Sequence, residues 1–319
     1  MIPFTKISEA REFLRNHLPV TRLIPAPSIS RLIFANAFLK LESELPTGSF
    51  KPRGALYALW YTLSRRRVNE VVASSTGNHG AAVAYAAKLL GVKARIFLPE
   101  NANAVKRAKI AGLGAEIVEE GSPDLAGAFQ RAMEYSQKPG VYFLNDATDP
   151  DLPAGPATIA CEIFEQCPSA DTIFVPMGDT ALIRGVASAA KYLSPAVRIV
   201  GVQADRAPSY YLSWKQGRPV PTDTCNTIAD GLATRTPEPE NVSAIRELVD
   251  AVCLVSEEQM LHAVSHLLLQ EHTVAEPSGA AATAAVLQSN PSASKNVVAL
   301  LTGANITPDI LRRSLCESQ

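Results

Sequence analysis

The chain has 319 residues, of which 47% are hydrophobic and 19% charged, a balance typical of a globular protein with one large domain or two ordinary ones. Its 30 basic and 31 acidic side chains leave a formal charge of −1, which excludes a strong nucleic-acid or anionic-membrane footprint from net charge. Five scattered cysteines without a Cys-x-x-Cys spacing argue against a disulfide framework, and no apolar stretch approaches the roughly 20 residues that span a bilayer. We therefore expect a cytoplasmic protein without nucleic-acid or membrane partners.

Strands and helices alternate along the chain from Glu70 onward. The first block predicts strands over 70–74, 93–98, 116–119 and 141–144, and helices over 78–90, 102–111 and 125–136. The second block predicts helices over 157–165 and 181–192, and strands over 172–176 and 197–202. Helices over 257–270 and 280–287 and a last strand over 296–301 follow. Such alternation with short connections is typical of parallel sheets with helices on their faces.

Two irregular stretches interrupt this pattern. Residues 145–156 shift to Asp, Pro and Gly, which indicates a crossing between two α/β lobes. Residues 207–240 exceed the length of an ordinary loop, so we expect them to carry short helices or to line a site. Ligands of such sheets bind at the carboxyl ends of the strands, and a cleft between the lobes is the expected site.

A lysine within residues 46–55 (PTGSFKPRGA) is the first candidate for chemistry. Lys51 stands between Gly and aromatic residues where a loop enters a helix, so it would be held and partly desolvated. Desolvation lowers the pKa of a lysine and makes its amine nucleophilic, as an imine-forming lysine requires. A solvated lysine at a helix start is the alternative.

Three further segments place polar groups at strand ends. Residues 74–80 (SSTGNHG) leave a strand and open a helix, so free N–H groups with the Ser75 and Thr76 hydroxyls form an anion site, unless they are plain helix caps. Residues 175–185 (VPMGDTALIRG) repeat strand, turn and helix and can cradle a phosphate. The last strand delivers the Thr302 hydroxyl at its carboxyl end.

In this order, the four segments resemble the pyridoxal-phosphate enzymes of fold type II, and more narrowly the serine/threonine dehydratase and serine racemase family. The resemblance runs from about Ile24 to Asn305. Three more matches lie within it, at residues 155–160 (GPATIA), 227–231 (TIADG) and 276–280 (EPSGA). Each segment alone is weak, whereas the ordered set is specific.

The resemblance implies an α/β architecture similar to tryptophan synthase β, with two lobes of parallel-rich twisted sheets flanked by helices. Residues 1–66 and 149–319 would form a large cofactor-binding domain, and residues 67–148 a small, mobile substrate-binding domain. The family also implies a homodimer. Biosynthetic threonine dehydratases add a regulatory domain of about a hundred residues, and the chain stops before one, so we expect no feedback through such a module.

The resemblance further implies the site residues, with pyridoxal 5′-phosphate as cofactor. Lys51 would carry it as an internal imine and, freed by the substrate amine, would remove the α-proton; Thr76 stands where the racemase has its second acid–base residue. The implied cofactor-binding residues are Lys51, Phe50, Asn78, Gly178, Asp179, Thr180, Ala181, Leu182, Glu276 and Thr302. The residues implied to hold the substrate carboxylate are Ser75, Thr76, Asn78 and His79.

Some residues depart from the family pattern. The phosphate loop is usually four glycines, but here Asp179 adds a negative charge beside a dianion, which should reduce affinity unless it is turned away or paired. Many relatives bind a divalent cation through an acid that this chain replaces with Gln203, followed by Ala207 and Ser209, so we predict no metal site. His262 and His266 have metal-ligand spacing but no third ligand, and we interpret them as an exposed helix face.

We expect a dehydratase, or ammonia-lyase, that eliminates water from a β-hydroxy amino acid of the L-threonine or L-serine type and gives a 2-oxo acid and ammonium. A hydroxyl at Thr302 does not force a proton onto the ring nitrogen, which favours β-elimination over transamination. A β-replacement or threonine-synthase-like transferase is one alternative, supported by the sequence of residues 75–78. A racemase is another, weakened by Thr76 and by loss of the racemase's substrate-binding Arg near Leu125. A non-catalytic binder is a third, motivated by Asp179.

Overall fold

The chain forms two sheets with helices on their faces in a computed structural model that describes residues 1–100, 102, 104–119, 121–122, 124–289 and 294–316. The described helices are α1 Phe4–Arg15, α2 Pro27–Ile33, α3 Lys51–Leu63, α4 Asn78–Leu90, α5 Ala104–Gly112, α6 Leu125–Tyr135, α7 Ala154–Gln166, α8 Ala181–Leu193, α9 Ser209–Gln216, α10 Pro239–Leu248, α11 Glu257–Gln270, α12 Pro277–Gln288 and α13 Pro308–Cys316. The described strands are β1 Leu23–Pro25, β2 Asn36–Leu41, β3 Glu70–Ser74, β4 Lys93–Phe97, β5 Glu116–Val118, β6 Val141–Phe143, β7 Thr172–Pro176, β8 Arg198–Ala204, β9 Ala251–Val255 and β10 Asn296–Leu301.

The larger sheet has six strands in the order β1-β2-β10-β7-β8-β9. Its pairs are parallel except at the edge, where β1 runs antiparallel to β2. The smaller sheet has the order β5-β4-β3-β6 and is parallel throughout. The predicted α/β class with two parallel-rich, helix-flanked sheets is confirmed.

Helices cover both faces of the six-stranded sheet. The central strand β10 shows this, because its successive side chains pack alternately into two different cores. Val297, Ala299 and Leu301 pack into a core with residues of α11 and α12. Val298 and Leu300 pack into a second core with residues of α7 and α8. Because successive side chains of a strand point to opposite faces, a strand that is apolar at every position is buried on both.

Helix α4 packs tightly because it is built from small residues. Its run of alanines lies against α3 and the strands of the smaller sheet in one continuous core. Gly91 ends the helix in the left-handed conformation, with φ of 70°, which glycine adopts without steric cost. The loop before α4 is thereby fixed by a well-packed helix behind it.

Most predicted elements from Glu70 onward are present. The strands over 70–74, 172–176 and 296–301 and the helices over 78–90 and 257–270 have the predicted bounds. The helix predicted over 102–111 begins at Ala104, and residue 103 lies outside the described residues. Helix α7 begins at Ala154, three residues before the predicted start. Before Glu70 the sequence predicted only a helix that begins at Lys51, and α3 begins there. The prediction missed α1, β1, α2 and β2 before it, and β9, α10 and α13 later in the chain.

The stretch 207–240 carries short helices, as predicted, in the form of α9, a 3₁₀ turn at Asp230–Leu232 and the start of α10. Residues 145–153 connect β6 of the smaller sheet to α7, which packs in the core of the larger sheet. The proposed domain limits and the mobility of the small lobe stay predictions. Within the described part of the chain, no helix is long and apolar enough to cross a membrane.

Candidate active site

The carboxyl ends of β3, β7 and β10 open onto one cavity of about 400 Å³. Its lining includes all the residues that the sequence nominated, which are Phe50, Lys51, Ser75, Thr76, Asn78, His79, Gly178, Asp179, Thr180, Ala181, Leu182, Glu276 and Thr302. Segments far apart in the chain therefore meet in one place, at the edge where parallel sheets bind ligands. Their individual roles stay predictions.

Lys51 is the first residue of α3, and backbone hydrogen bonds join the loop before it to the end of β10. The Phe50 N–H donates to the Thr302 carbonyl oxygen at 3.0 Å, and Ser49 forms an antiparallel bridge with Gly303. Pro52 follows, at a helix position where a missing N–H costs nothing. The lysine is thus placed beside Thr302 by the backbone.

The Lys51 amine donates a hydrogen bond to Asp146 Oδ2, in a pair whose side chains are each 19% exposed. Burial disfavours the ammonium, but the carboxylates of Asp146, Asp179 and Glu276 outweigh it and raise the pKa of Lys51. The expectation that desolvation lowers this pKa is therefore wrong for the cofactor-free chain. The sequence reading had no signal for Asp146, which follows β6 and belongs to no motif.

The carboxylate loop, residues 75–79, joins β3 to α4. The Gly77 N–H donates to Ser75 Oγ at 3.2 Å, and His79 is buried with Nε2 2.8 Å from the Leu144 carbonyl oxygen. That contact requires a proton on Nε2, and burial lowers the pKa of His79, so its ring is neutral. Nδ1 then faces Asp146 Oδ2 at 3.7 Å and has no hydrogen-bond partner among the described residues.

The phosphate loop, residues 178–182, turns from β7 into α8. Thr180 has φ of 71°, a left-handed conformation, and a Cβ on Gly178 would meet the Gly231 carbonyl oxygen at 2.2 Å. The loop therefore packs closely and lines the cavity at the N-terminus of α8, the end of a helix that favours an anion. Asp179 Oδ1 accepts from Thr234 Oγ1 at 3.0 Å, which turns this carboxylate aside.

A series of side-chain hydrogen bonds links Glu276, Asn78, Asn305 and Lys109 along the cavity. Asn78 Nδ2 donates to Glu276 Oε1 at 2.6 Å, and Asn305 Nδ2 donates to Asn78 Oδ1 at 2.6 Å. Lys109 Nζ donates to the Thr47 carbonyl oxygen at 2.8 Å and also contacts Asn305. Lys109 and Asn305 were not nominated from the sequence. Their contacts connect α5 of the smaller sheet to the end of β10.

Comparison with known proteins decides the family. A family model described as "Pyridoxal-phosphate dependent enzyme" matches residues 14–303. The chain belongs to this family of pyridoxal-phosphate dependent enzymes. A protein from Thermotoga maritima named L-threonine ammonia-lyase is 35% identical over 313 residues, which are 98% of this chain and 78% of that protein.

Solved structures of this family share the fold over nearly the whole chain. Maize serine racemase is 30% identical with a TM-score of 0.91, covering 98% of this chain and 96% of that one. The processed form of threonine deaminase isoform 2 from Solanum lycopersicum is 29% identical with a TM-score of 0.93, covering 99% and 88%. The predicted family, fold and cofactor are confirmed, and the names of these relatives agree with the predicted reaction class.

The residues of the cavity fit pyridoxal phosphate. Lys51 would supply the amine to which the cofactor attaches, and the phosphate loop would supply N–H donors for its phosphate. Ser74 Oγ and His79 Nδ1 line the same cavity and have no hydrogen-bond partner within the described residues, so polar groups remain available to a ligand. Thr302 Oγ1, 3.5 Å from the Ser278 carbonyl oxygen, would face the cofactor ring.

No group of three or more acidic, histidine or cysteine side chains suited to a metal occurs among the described residues. Gln203 Oε1 instead accepts from the Tyr211 N–H at 2.9 Å, and Ser209 Oγ donates to the Thr234 carbonyl oxygen at 2.6 Å.

The prediction that His262 and His266 form an exposed helix face holds only for His262, which is exposed. His266 is half-buried, with Nε2 2.7 Å from Ser28 Oγ.

Asp179→Asn is expected to stabilise the protein above about pH 6. Burial, and then the nearby Asp146, raise the pKa of Asp179 from 3.8 to about 6. Folding therefore takes up a proton between these values, and stability is lost as the pH rises through them. Above pH 6 the variant should gain roughly 1–2 kcal/mol in free energy of unfolding, because Asn keeps an acceptor for Thr234 without the charge.

The measurement is urea unfolding of the cofactor-free protein between pH 4 and pH 8. The gain should disappear near pH 4. Asp309→Asn, at a carboxylate that is 86% exposed, is the control and should change little. Equal effects of Asp179→Asn at both ends of the pH range would contradict a carboxyl that titrates near 6.

Proposed function

We propose that the protein is a dehydratase, or ammonia-lyase, that removes water from a β-hydroxy amino acid of the L-threonine or L-serine type. The products are a 2-oxo acid and ammonium. The observation that carries this proposal is that Lys51, the carboxylate loop, the phosphate loop and the Thr302 hydroxyl converge on one cavity. Relatives with 33–35% identity over nearly the whole chain bear the names L-threonine ammonia-lyase and L-threonine dehydratase, which supports the substrate class.

Lys51 does the proton chemistry in this proposal. When bound, pyridoxal phosphate supplies an electron-withdrawing ring conjugated to the substrate nitrogen, which acidifies the hydrogen on Cα. The Lys51 amine takes that hydrogen as a proton, because it is the basic group that the start of α3 projects into the cavity. Thr302 would offer the cofactor a hydroxyl in place of a carboxylate, which would limit delocalisation and favour prompt loss of the β-hydroxyl.

The carboxylate loop would orient the substrate. Its N–H groups stand at the start of α4, where the helix dipole favours an anion, and the Ser75 and Thr76 hydroxyls add donors. His79 fixes the loop through Leu144, so its backbone is preorganised for the carboxylate. Binding there would hold Cα at a constant distance from the Lys51 amine.

A transferase that replaces the β-substituent is the second candidate. The sequence Ser-Thr-Gly-Asn over residues 75–78 favours it, because threonine synthases carry this form of the loop. The two reactions diverge after loss of the β-substituent. A transferase admits a second nucleophile, whereas a dehydratase releases the product to water.

The test is to supply the holoenzyme with L-threonine and with L-serine and to assay 2-oxo acids and ammonium. We expect 2-oxobutyrate from threonine or pyruvate from serine, with ammonium in equal amount, because elimination releases one of each. A thiol added in excess should yield no new amino acid. Formation of a thioether amino acid would favour the transferase, and a holoenzyme without product from either substrate would refute the dehydratase.

We also propose that the protein acts as a homodimer in the cytoplasm. Several large apolar side chains are exposed in the single chain, and Phe34 is the extreme case at 94% exposed, which favours burial against a second copy. All five cysteines are free thiols, which supports a reducing compartment. Light scattering on the purified holoenzyme would report the mass of the assembly.

A further inference from the structure

Asp146 is a charged residue of the cavity that no motif and no step above explains. It follows β6 and lines the cavity. Its Oδ2 accepts the hydrogen bond of the Lys51 amine, and the two residues are 95 positions apart in the chain. A carboxylate that is 19% exposed costs desolvation energy and is retained only where a charged partner offsets it.

The titratable groups around this pair come from three other parts of the chain. His79 of α4 lies with Nδ1 3.7 Å from Asp146 Oδ2. Asp179 of the phosphate loop and Glu276 before α12 act on the Lys51 amine through their charges. Burial alone would raise the pKa of Asp146, but the Lys51 ammonium on Oδ2 holds it well below the usual value, so the carboxyl is ionised.

We propose that Asp146 is a positioning residue for Lys51: its carboxylate holds the lysine amine in the cavity and stabilises the ammonium that forms when Lys51 takes the α-proton. This inference rests on the proposed role of Lys51 as the base. The contact carries it, because Asp146 is the side-chain acceptor that the described structure shows on this amine. A charge-assisted hydrogen bond of this kind is about twice as strong as a neutral one.

The proton balance is simple. The Cα–H bond of the substrate breaks, its electron pair stays on the substrate, and the proton forms a new N–H bond on Lys51. Asp146 gains no proton and stays ionised throughout. Because its charge favours the protonated lysine, it strengthens Lys51 as a base during turnover. The same charge makes the resting lysine a poorer nucleophile, since the amine of the cofactor-free protein is held as an ammonium.

Asp146→Asn should therefore move two measurements in opposite directions. The amide keeps a hydrogen-bond acceptor but loses the charge, so burial would dominate and the pKa of Lys51 would fall. In the cofactor-free variant, an amine-specific reagent at pH 8 should acylate Lys51 faster than in the wild type. Each unit by which the pKa of Lys51 falls should raise this rate about tenfold, because it raises the fraction of neutral amine about tenfold. Turnover of the holoenzyme should fall about 10- to 100-fold.

The acylation rate is followed by mass spectrometry of the Lys51 peptide from pH 6 to pH 11, and its midpoint reports the pKa of the amine. Asp146→Glu should keep the wild-type midpoint. Asp151→Asn, which breaks an equally buried ion pair with Lys6 outside the cavity, is the matched control and should leave the midpoint unchanged. An unshifted midpoint in Asp146→Asn would overturn the inference, as would a shifted midpoint with undiminished turnover.

These outcomes separate the inference from the proposed function. If the midpoint shifts but the wild-type holoenzyme acts on neither threonine nor serine, the control of Lys51 by Asp146 stands and the substrate assignment fails. If the wild type produces a 2-oxo acid and the midpoint does not move, the dehydratase stands and the role of Asp146 fails. A loss of turnover in Asp146→Asn without a shift in the midpoint indicates structural damage and contradicts the inference.

Discussion

Lys51→Ala is expected to abolish covalent attachment of pyridoxal phosphate and to reduce turnover at least about 10⁴-fold. In the proposed function, the lysine at the start of α3 supplies both the amine that holds the cofactor and the base that takes the α-proton. Alanine removes both at once, while the backbone contact between Phe50 and Thr302 remains. The measurement is the visible absorption band of the lysine-bound cofactor, together with the rate of 2-oxo acid formation.

Lys109→Ala is the control for the identity of this lysine. Lys109 also lines the cavity, but it is exposed and its amine is engaged by the Thr47 carbonyl oxygen at 2.8 Å. The variant should keep the band, because the attachment point is unchanged. If Lys51→Ala kept the band and Lys109→Ala lost it, the assignment of the attachment lysine would be wrong.

Sequence reasoning found the cavity residues that sit in local patterns. The carboxylate loop and the phosphate loop each follow a short apolar run and open a helix, and this order of strand, polar turn and helix is visible within a dozen residues. The parallel sheets then bring their ends together. Local patterning thus identifies which residues can meet, because the topology of parallel sheets places strand ends on one edge.

Asp146 and Asn305 show what local patterns miss. Asp146 lies in a stretch rich in Asp and Pro, where a carboxylate is unremarkable, and its partner is 95 residues away. The charge of Lys51 was judged from burial alone, so the direction of its pKa was predicted wrongly. A pKa depends on the neighbours in space, and one sequence does not show them.

The missed N-terminal helix did carry a signal. Helix α1 buries Ile7, Ala10 and Leu14, whose spacing of three and four residues is that of one helix face. The edge strand β9 is harder to recognise, because four of its five residues are only half-buried. Apolar periodicity is weak in short edge strands and strong in helices that cover a core.

Helix α3, which begins at Lys51, contributes Arg53 to a buried cluster of charged side chains that was not predicted from the sequence. Arg53, two residues after Lys51, is 2% exposed and donates to Glu162 Oε1 at 2.7 Å and Glu42 Oε2 at 2.8 Å. Lys40 is fully buried and donates to Glu162 Oε2 at 2.6 Å. Two cations and two anions thus balance inside the protein, and each carboxylate satisfies groups from different elements.

Glu162→Gln is expected to lower the free energy of unfolding by about 3–5 kcal/mol. The amide leaves Arg53 and Lys40 sharing the single carboxylate of Glu42, so one buried positive charge loses its counter-charge. Urea unfolding of the holoenzyme at pH 7 gives the measurement. Glu165→Gln, on the same helix but at a side chain that is 47% exposed and paired with Arg11 and Arg15, should cost less than about 1 kcal/mol. Equal losses in the two variants would show that the buried cluster contributes no more than a surface pair. A large loss confined to Glu162 would show that the helix carrying the reactive lysine is anchored by charges buried beneath it.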